Sequence, residues 1–182
     1  MEAQFSLPYS EYQTIAMLSK VLPKREGYAF FVPVSRQQAS VDLMILHARS
    51  GKTLRGQVKS SKHFDWSKSP TLRFWYPNFR RSYRPGAADV FFLLGTYPLL
   101  EEGKNVRHSH AHWQHLILVL SDPEMRNILE QTGRDRFFQF GIDPQRSGHC
   151  STVKGTRGGV KGRDLGCYLL ERRSSWLRER LN

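Results

Sequence analysis

The stretch Ser40–Ser61, SVDLMILHARSGKTLRGQVKSS, constrains the fold of this chain more than any other. Val41, Leu43 and Ile45 alternate with Asp42, Met44 and Leu46, so a strand over Ser40–His47 is largely apolar on both faces and has to be packed on both. Arg49-Ser50-Gly51-Lys52 supplies a tight connection in which Gly51 is free to take a positive φ. A second strand, Thr53–Ser60, puts Leu54, Gly56 and Val58 on one face and Arg55, Gln57 and Lys59 on the other. Gln57 and Lys59 therefore point the same way. Asp42, near the start of the neighbouring strand, stands where it can join them.

The rest of the chain reads as elements that pack around this hairpin. Ser10-Glu11-Tyr12-Gln13 has the form of a capping box, with Ser10 as N-cap of a helix ending near Leu22-Pro23. Its core stripe is Ile15, Leu18 and Leu22, and one turn back from Ile15 stands Glu11. Strands are expected over Tyr28–Val34, Leu72–Tyr76, Ala88–Thr96, Gln114–Leu120 and Phe137–Ile142, of which ADVFFLLGT is the most apolar and the most central. Ser121-Asp122-Pro123-Glu124 opens a helix to about Gln131, with Ser121 and Glu124 as the reciprocal cap. Gln145–Gly166, with five glycines from Gly148 to Gly162 among Lys154, Arg157 and Lys161 and with Arg163 just after, is expected to be a basic loop. An arginine-rich helix is expected over Asp164–Leu181. Residues 1–182 are expected to form a single α/β domain, a mixed central sheet flanked by helices.

Charge says more about partners than about fold. The 28 Lys and Arg against 16 Asp and Glu leave a net +12, which suits a polyanion, nucleic acid first. Lys52, Arg55, Ser61 and Lys62 flank the Gln57/Lys59 pair, and Arg80, Arg81 and Arg84 sit among aromatics in Asn78–Pro85. With Lys154, Arg157, Lys161 and Arg163 they are the candidate phosphate contacts. The two cysteines, Cys150 and Cys167, have no CxxC spacing and read as free thiols of a reducing cytoplasm. No apolar run approaches the roughly 20 residues a membrane helix needs, and no signal-peptide pattern opens the chain, so a cytoplasmic protein without a membrane partner is expected. Two further readings stay open. His108, His110 and His112, with His115 nearby and Glu101 and Glu102 not far in sequence, share a face if extended and could bind zinc. A nucleic-acid-binding domain without turnover would use the same basic residues.

Phosphodiester hydrolysis needs a divalent cation, an activated water and something to neutralise the developing charge. Asp42 offers a charged hard oxygen, Gln57 a neutral amide oxygen and Val58 a backbone carbonyl, a set suited to Mg²⁺ or Mn²⁺ with several waters retained. Lys59 beside them can orient or deprotonate the water and stabilise charge, and Glu11 on the helix offers a second carboxylate, directly or through water. In this order (helix acid, strand, strand with an aspartate, tight turn, strand with QVK) the chain resembles the PD-(D/E)XK nuclease superfamily. QVKSS is most similar to the branch in which glutamine replaces the acid of the third strand, which includes certain cyanobacterial homing endonucleases; archaeal Holliday junction resolvases share the order of elements. The resemblance covers about the first third of the chain. It implies a restriction-endonuclease-like αβββαβ core, an endonuclease acting on duplex or branched DNA, and a homo-oligomer. Two departures stand out: Gln57 brings no charge to the metal, and Val41 replaces the proline that often precedes the aspartate.

Overall fold

The computed structural model describes residues 6–33, 40–62, 72–77, 83–98, 113–131, 137–144, 150–157 and 164–182. Five strands form the main sheet in the order β1-β2-β3-β5-β6: β1 Tyr28–Phe31, β2 Leu43–His47, β3 Thr53–Lys62, β5 Val90–Pro98 and β6 Trp113–Ser121. Every neighbouring pair is antiparallel except β3 and β5, which run parallel from Gly56 opposite Val90 to Lys62 opposite Thr96. The sheet is mixed, and helices flank it as the apolar patterning requires. A second, antiparallel sheet has the order β4-β7-β8, with β4 Leu72–Pro77, β7 Phe137–Pro144 and β8 Cys150–Arg157.

The β2–β3 hairpin closes as its residues dictate. Gly51 takes φ +69°, its N–H donates to the His47 carbonyl at 2.9 Å, and the His47 N–H donates to the Lys52 carbonyl at 3.0 Å. Alternation then divides the core in two. Leu43, Ile45, Leu54, Val58, Val90, Phe92 and Leu94 face α1 (Ser6–Val21) and α3 (Leu170–Leu181), where they meet Leu18, Leu22 just past the end of α1, Leu177 and Leu181. The other face of β5, Phe91 and Leu93, packs with Phe74 and Tyr76 of β4 and with Met125, Ile128 and Leu129 of α2 (Asp122–Gln131). Residues 91–97 are all buried, which is why this strand reads as an unbroken apolar run. Gly95 lets the two sheets meet: a Cβ there would stand 2.9 Å from the Phe74 ring.

Several expectations shift. The helix α1 begins at Ser6, so Ser10 is a helical residue and no N-cap; Pro8 falls within the first turn, where its missing N–H costs nothing. Its sheet-facing row is Ser10, Thr14, Leu18 and Leu22, with Ile15 at the margin. The second capping box forms as read: Glu124 accepts the Ser121 N–H at 2.8 Å, and the Glu124 N–H reaches the Ser121 hydroxyl at 3.4 Å. The Gln145–Gly166 stretch is not loop throughout, because Cys150–Arg157 is strand β8, paired to β7. Ser-Thr-Val within it favours a pleated backbone despite the glycines around. The C-terminal helix starts at Leu170, after a 3₁₀ turn at Gly166–Tyr168. Among the described residues, the crossover from β3 to β5 carries strand β4, where an αβββαβ order expects a helix. The reason is local: Phe74 and Tyr76 are buried while Arg73 and Trp75 are exposed, a period of two and not of 3.6. No helix is long and apolar enough to cross a membrane among the described residues.

Candidate functional site

The hairpin register places the central residues. Its last paired residues are Leu43 and Gly56, and one step further the Asp42 N–H donates to the Gly56 carbonyl at 2.9 Å, so Asp42 stands level with Gln57. The chain reaches this point through Ser40, at φ +76°, and leaves the ladder there. Val58 thus lies beyond the end of β2, with no strand on that edge to take its N–H. The carboxylate of Asp42 takes it instead, Oδ2 accepting the Val58 N–H at 2.7 Å. A strand residue presents its N–H and C=O to the same edge, so the Val58 carbonyl opens on the side where Asp42 sits.

Gln57 and Lys59 alternate with Val58 and so face the Phe91 and Leu93 side, toward the second sheet. Gln57 is 4% exposed, and its side-chain amide makes no hydrogen bond among the described residues. Lys59 is half-buried, and its charge acts on Asp42. Burial pushes the Asp42 carboxyl above its ordinary range, while the Val58 N–H and the Lys59 charge pull it back. Its negative charge is therefore incompletely compensated, and the oxygens around it are hard. Asp42, Gln57 and the Val58 carbonyl suit a divalent cation that keeps part of its water shell. Glu11 stands on α1, the helix that covers the Val58 face, and is half-buried. No group of three His, Cys, Asp or Glu side chains able to hold a metal forms among the described residues.

The expected phosphate contacts fare unequally. Lys52, Lys62 and Arg84 are exposed. Arg55 is held internally: its guanidinium donates to Asp89 at 2.8 and 3.2 Å and to the Gly86 carbonyl at 3.2 Å, and its backbone N–H donates to Asp89 at 2.8 Å. Both partners lie at the start of β3 and β5, where parallel strands need a tie across their ends. Ser61 is also structural, its hydroxyl accepting the Trp75 N–H at 2.9 Å and joining the two sheets. Lys154 and Arg157 lie on β8, in register with Gly141 and Gln139. Arg80, Arg81, Lys161 and Arg163 lie outside the described residues, as do His108, His110, His112, Glu101 and Glu102. His115 is described, and Thr96 and Tyr9 stand at its two ring nitrogens, 3.1 and 3.5 Å away.

Reasoning from sequence missed two features of the site's frame. His47 is buried beneath the hairpin turn, its ring nitrogens at 3.0 Å from the Ser50 hydroxyl and 3.2 Å from the Glu26 carbonyl. Asp89 showed no signal either, because its partner Arg55 is 34 residues distant.

No protein-family model matches the chain, and no curated protein does. Among solved structures it is similar to a bacterial homing endonuclease, I-Ssp6803I, at 18% identity and a TM-score of 0.43, over 69% of this chain and 74% of that one. A likeness of that degree carries no functional weight.

Proposed function

We propose that this chain is a metal-dependent endonuclease that hydrolyses phosphodiester bonds of DNA. The observation that carries the reading is the Asp42 carboxylate docked at 2.7 Å on the Val58 N–H, level with the buried Gln57 and under the influence of the Lys59 charge. Asp42, Gln57 and the Val58 carbonyl would hold Mg²⁺ or Mn²⁺, which supplies charge neutralisation at the phosphate. Glu11 stands on the helix over the other face of β3 and is given no part in holding the ion. Lys59 orients the attacking water and offsets the negative charge that builds on the phosphoryl oxygens. The bond from water oxygen to phosphorus forms as the bond to the leaving sugar oxygen breaks, and the proton lost by the water ends on that leaving oxygen. The net +12 favours the polyanionic substrate, and the exposed Lys52, Lys62 and Arg84, with Lys154 and Arg157, are the contacts expected to hold it. Cutting both strands of a duplex calls for two such sites, hence a homo-oligomer.

The test is cleavage of supercoiled plasmid, linear duplex, a four-way junction and single strands with Mg²⁺, Mn²⁺ or EDTA. Cleavage with divalent ion that disappears in Asp42→Asn and Lys59→Ala, with DNA binding kept, is the expected result. Normal cleavage by Asp42→Asn would refute the ligand assignment. Because Gln57 is neutral, a DNA-binding domain without turnover is the second reading; binding with no cleavage under any divalent ion would select it.

A further inference from the structure

A cavity of about 550 Å³ opens at the far end of β3, on the face that α1 covers. It is separate from the Asp42 site, which uses the opposite face of the same strand. Two of its walls are aromatic and exposed: Tyr9 at 55% and Trp113 at 40%. Tyr9 is steadied at His115, whose other ring nitrogen meets Thr96, so this wall is built into the fold. Ser10, Ser60 and Thr96 add hydroxyls, and none of the described lining residues is acidic. Lys62 is the cation among the described lining residues, its Nζ 6.0 Å from the Trp113 ring centroid.

Each feature narrows the ligand. The volume lies in the roughly 300–1,000 Å³ range of small-molecule sites and suits one nucleotide. The lack of carboxylates among the described lining residues argues against a cation. Exposed aromatic rings beside hydroxyl groups suit a flat, partly polar group such as a nucleobase, and a lysine at the rim suits its phosphate. A sugar would also stack, but it would not use the lysine or the net +12. The cavity is open to the surface, so a nucleotide can enter while still joined to a chain on both sides.

We infer that this cavity takes an unpaired nucleotide of a nucleic-acid strand, its base against Trp113 and Tyr9 and its phosphate at Lys62. The inference shares with the proposed function its nucleic-acid partner and Lys62, and holds whether or not the Asp42 site cleaves. For the proposed nuclease it would favour a frayed, branched or locally melted substrate over a fully paired one.

The experiment is fluorescence anisotropy of a labelled dT12 strand in EDTA, with a 12-base-pair duplex and free dTMP as comparisons. Base–aromatic stacking of about 1–3 kcal/mol corresponds to roughly a 5–150-fold loss of dT12 affinity in Trp113→Ala, and in Tyr9→Ala from the other wall. Duplex affinity should stay within about twofold, Trp113→Phe should retain dT12, and Lys62→Ala should lower the salt slope by about 0.7. Unchanged dT12 binding in both alanine variants would overturn the inference, as would no dT12 binding by the parent protein. Binding of dTMP as tight as that of dT12 would also overturn it, in favour of a free-nucleotide site. Asp42→Asn should bind dT12 like the parent protein, which keeps failure here distinct from failure of the nuclease reading.

Discussion

Asp42 has two tasks that one pair of substitutions separates. It caps the backbone N–H of Val58 at 2.7 Å, and it carries a charge in a site where burial disfavours charge. Asp42→Ala removes both. The Val58 N–H lies past the last β2–β3 pair, so it is left unsatisfied, at a cost of about 1–3 kcal/mol. In a chain of this length each kcal/mol moves Tm by about 2–4 °C, so a loss of about 2–12 °C is expected. Asp42→Asn keeps an acceptor oxygen and removes only the charge. The sign of the pH effect follows from the raised carboxyl. An acid whose folded pKa lies above its unfolded value adds stability below the unfolded value and loses it as pH rises through the folded one. At pH 7 and without divalent ions the ionised Asp42 therefore opposes folding, and Asp42→Asn should be as stable as the parent or more so. The gap should close as pH falls into the ordinary carboxylate range, near about 4. Magnesium should raise the Tm of the parent protein and leave both variants unmoved, by linkage to a site they lack. Urea and thermal melts followed by circular dichroism, at pH 4 to 8 with and without MgCl₂, measure all of this. Equal stability of Asp42→Ala and Asp42→Asn would refute the capping role. An Asp42→Asn protein less stable than the parent at pH 7 in EDTA would refute the electrostatic argument.

Two further expectations concern the frame around the site. Glu124 accepts the Ser121 N–H and hydroxyl at 2.8 and 2.7 Å and pairs with Arg173 at 2.7 Å, so Glu124→Ala should cost about 2 kcal/mol in urea denaturation. Glu124→Gln, which keeps an acceptor for the cap, should recover part of that loss, and a loss within experimental error for alanine would contradict the role. Arg55→Ala breaks an ion pair whose side chains are 49% and 36% exposed, so only about 0.2–1 kcal/mol is at stake. Arg55 holds the Asp89 carboxyl below its ordinary range, so this contribution is present above the unfolded pKa and lost as pH falls through the lowered folded one. DNA affinity should change less than twofold in Arg55→Ala, because its guanidinium is already occupied; a tenfold drop in an anisotropy titration would restore it as a phosphate contact.

Local pattern determined a good deal of this protein. Alternation in Leu43–Ile45 and Leu54–Val58, the glycine of the turn and the apolar run 90–97 are properties of neighbouring residues. They specify the hairpin, its inward face and the strand beside it before any tertiary contact exists. The same-face relation of Gln57 and Lys59 is equally local, since side chains two apart on a strand share a side. The reciprocal cap of α2 by Ser121 and Glu124 spans three residues and was legible for that reason. What the sequence alone did not decide depends on which distant surfaces meet. That Asp42 caps Val58 follows from where β2 ends in its pairing, and that Arg55 belongs to Asp89 follows from a parallel contact across 34 residues. The β8 strand forms because β7 offers it an edge, against the glycine-rich composition around it. The cavity under Tyr9 and Trp113 exists because helix and strands converge there, and no periodicity in any one of them encodes that space. Side-chain direction is set by the two torsions at each residue; the company a side chain keeps is set by the packing of elements far apart in the chain.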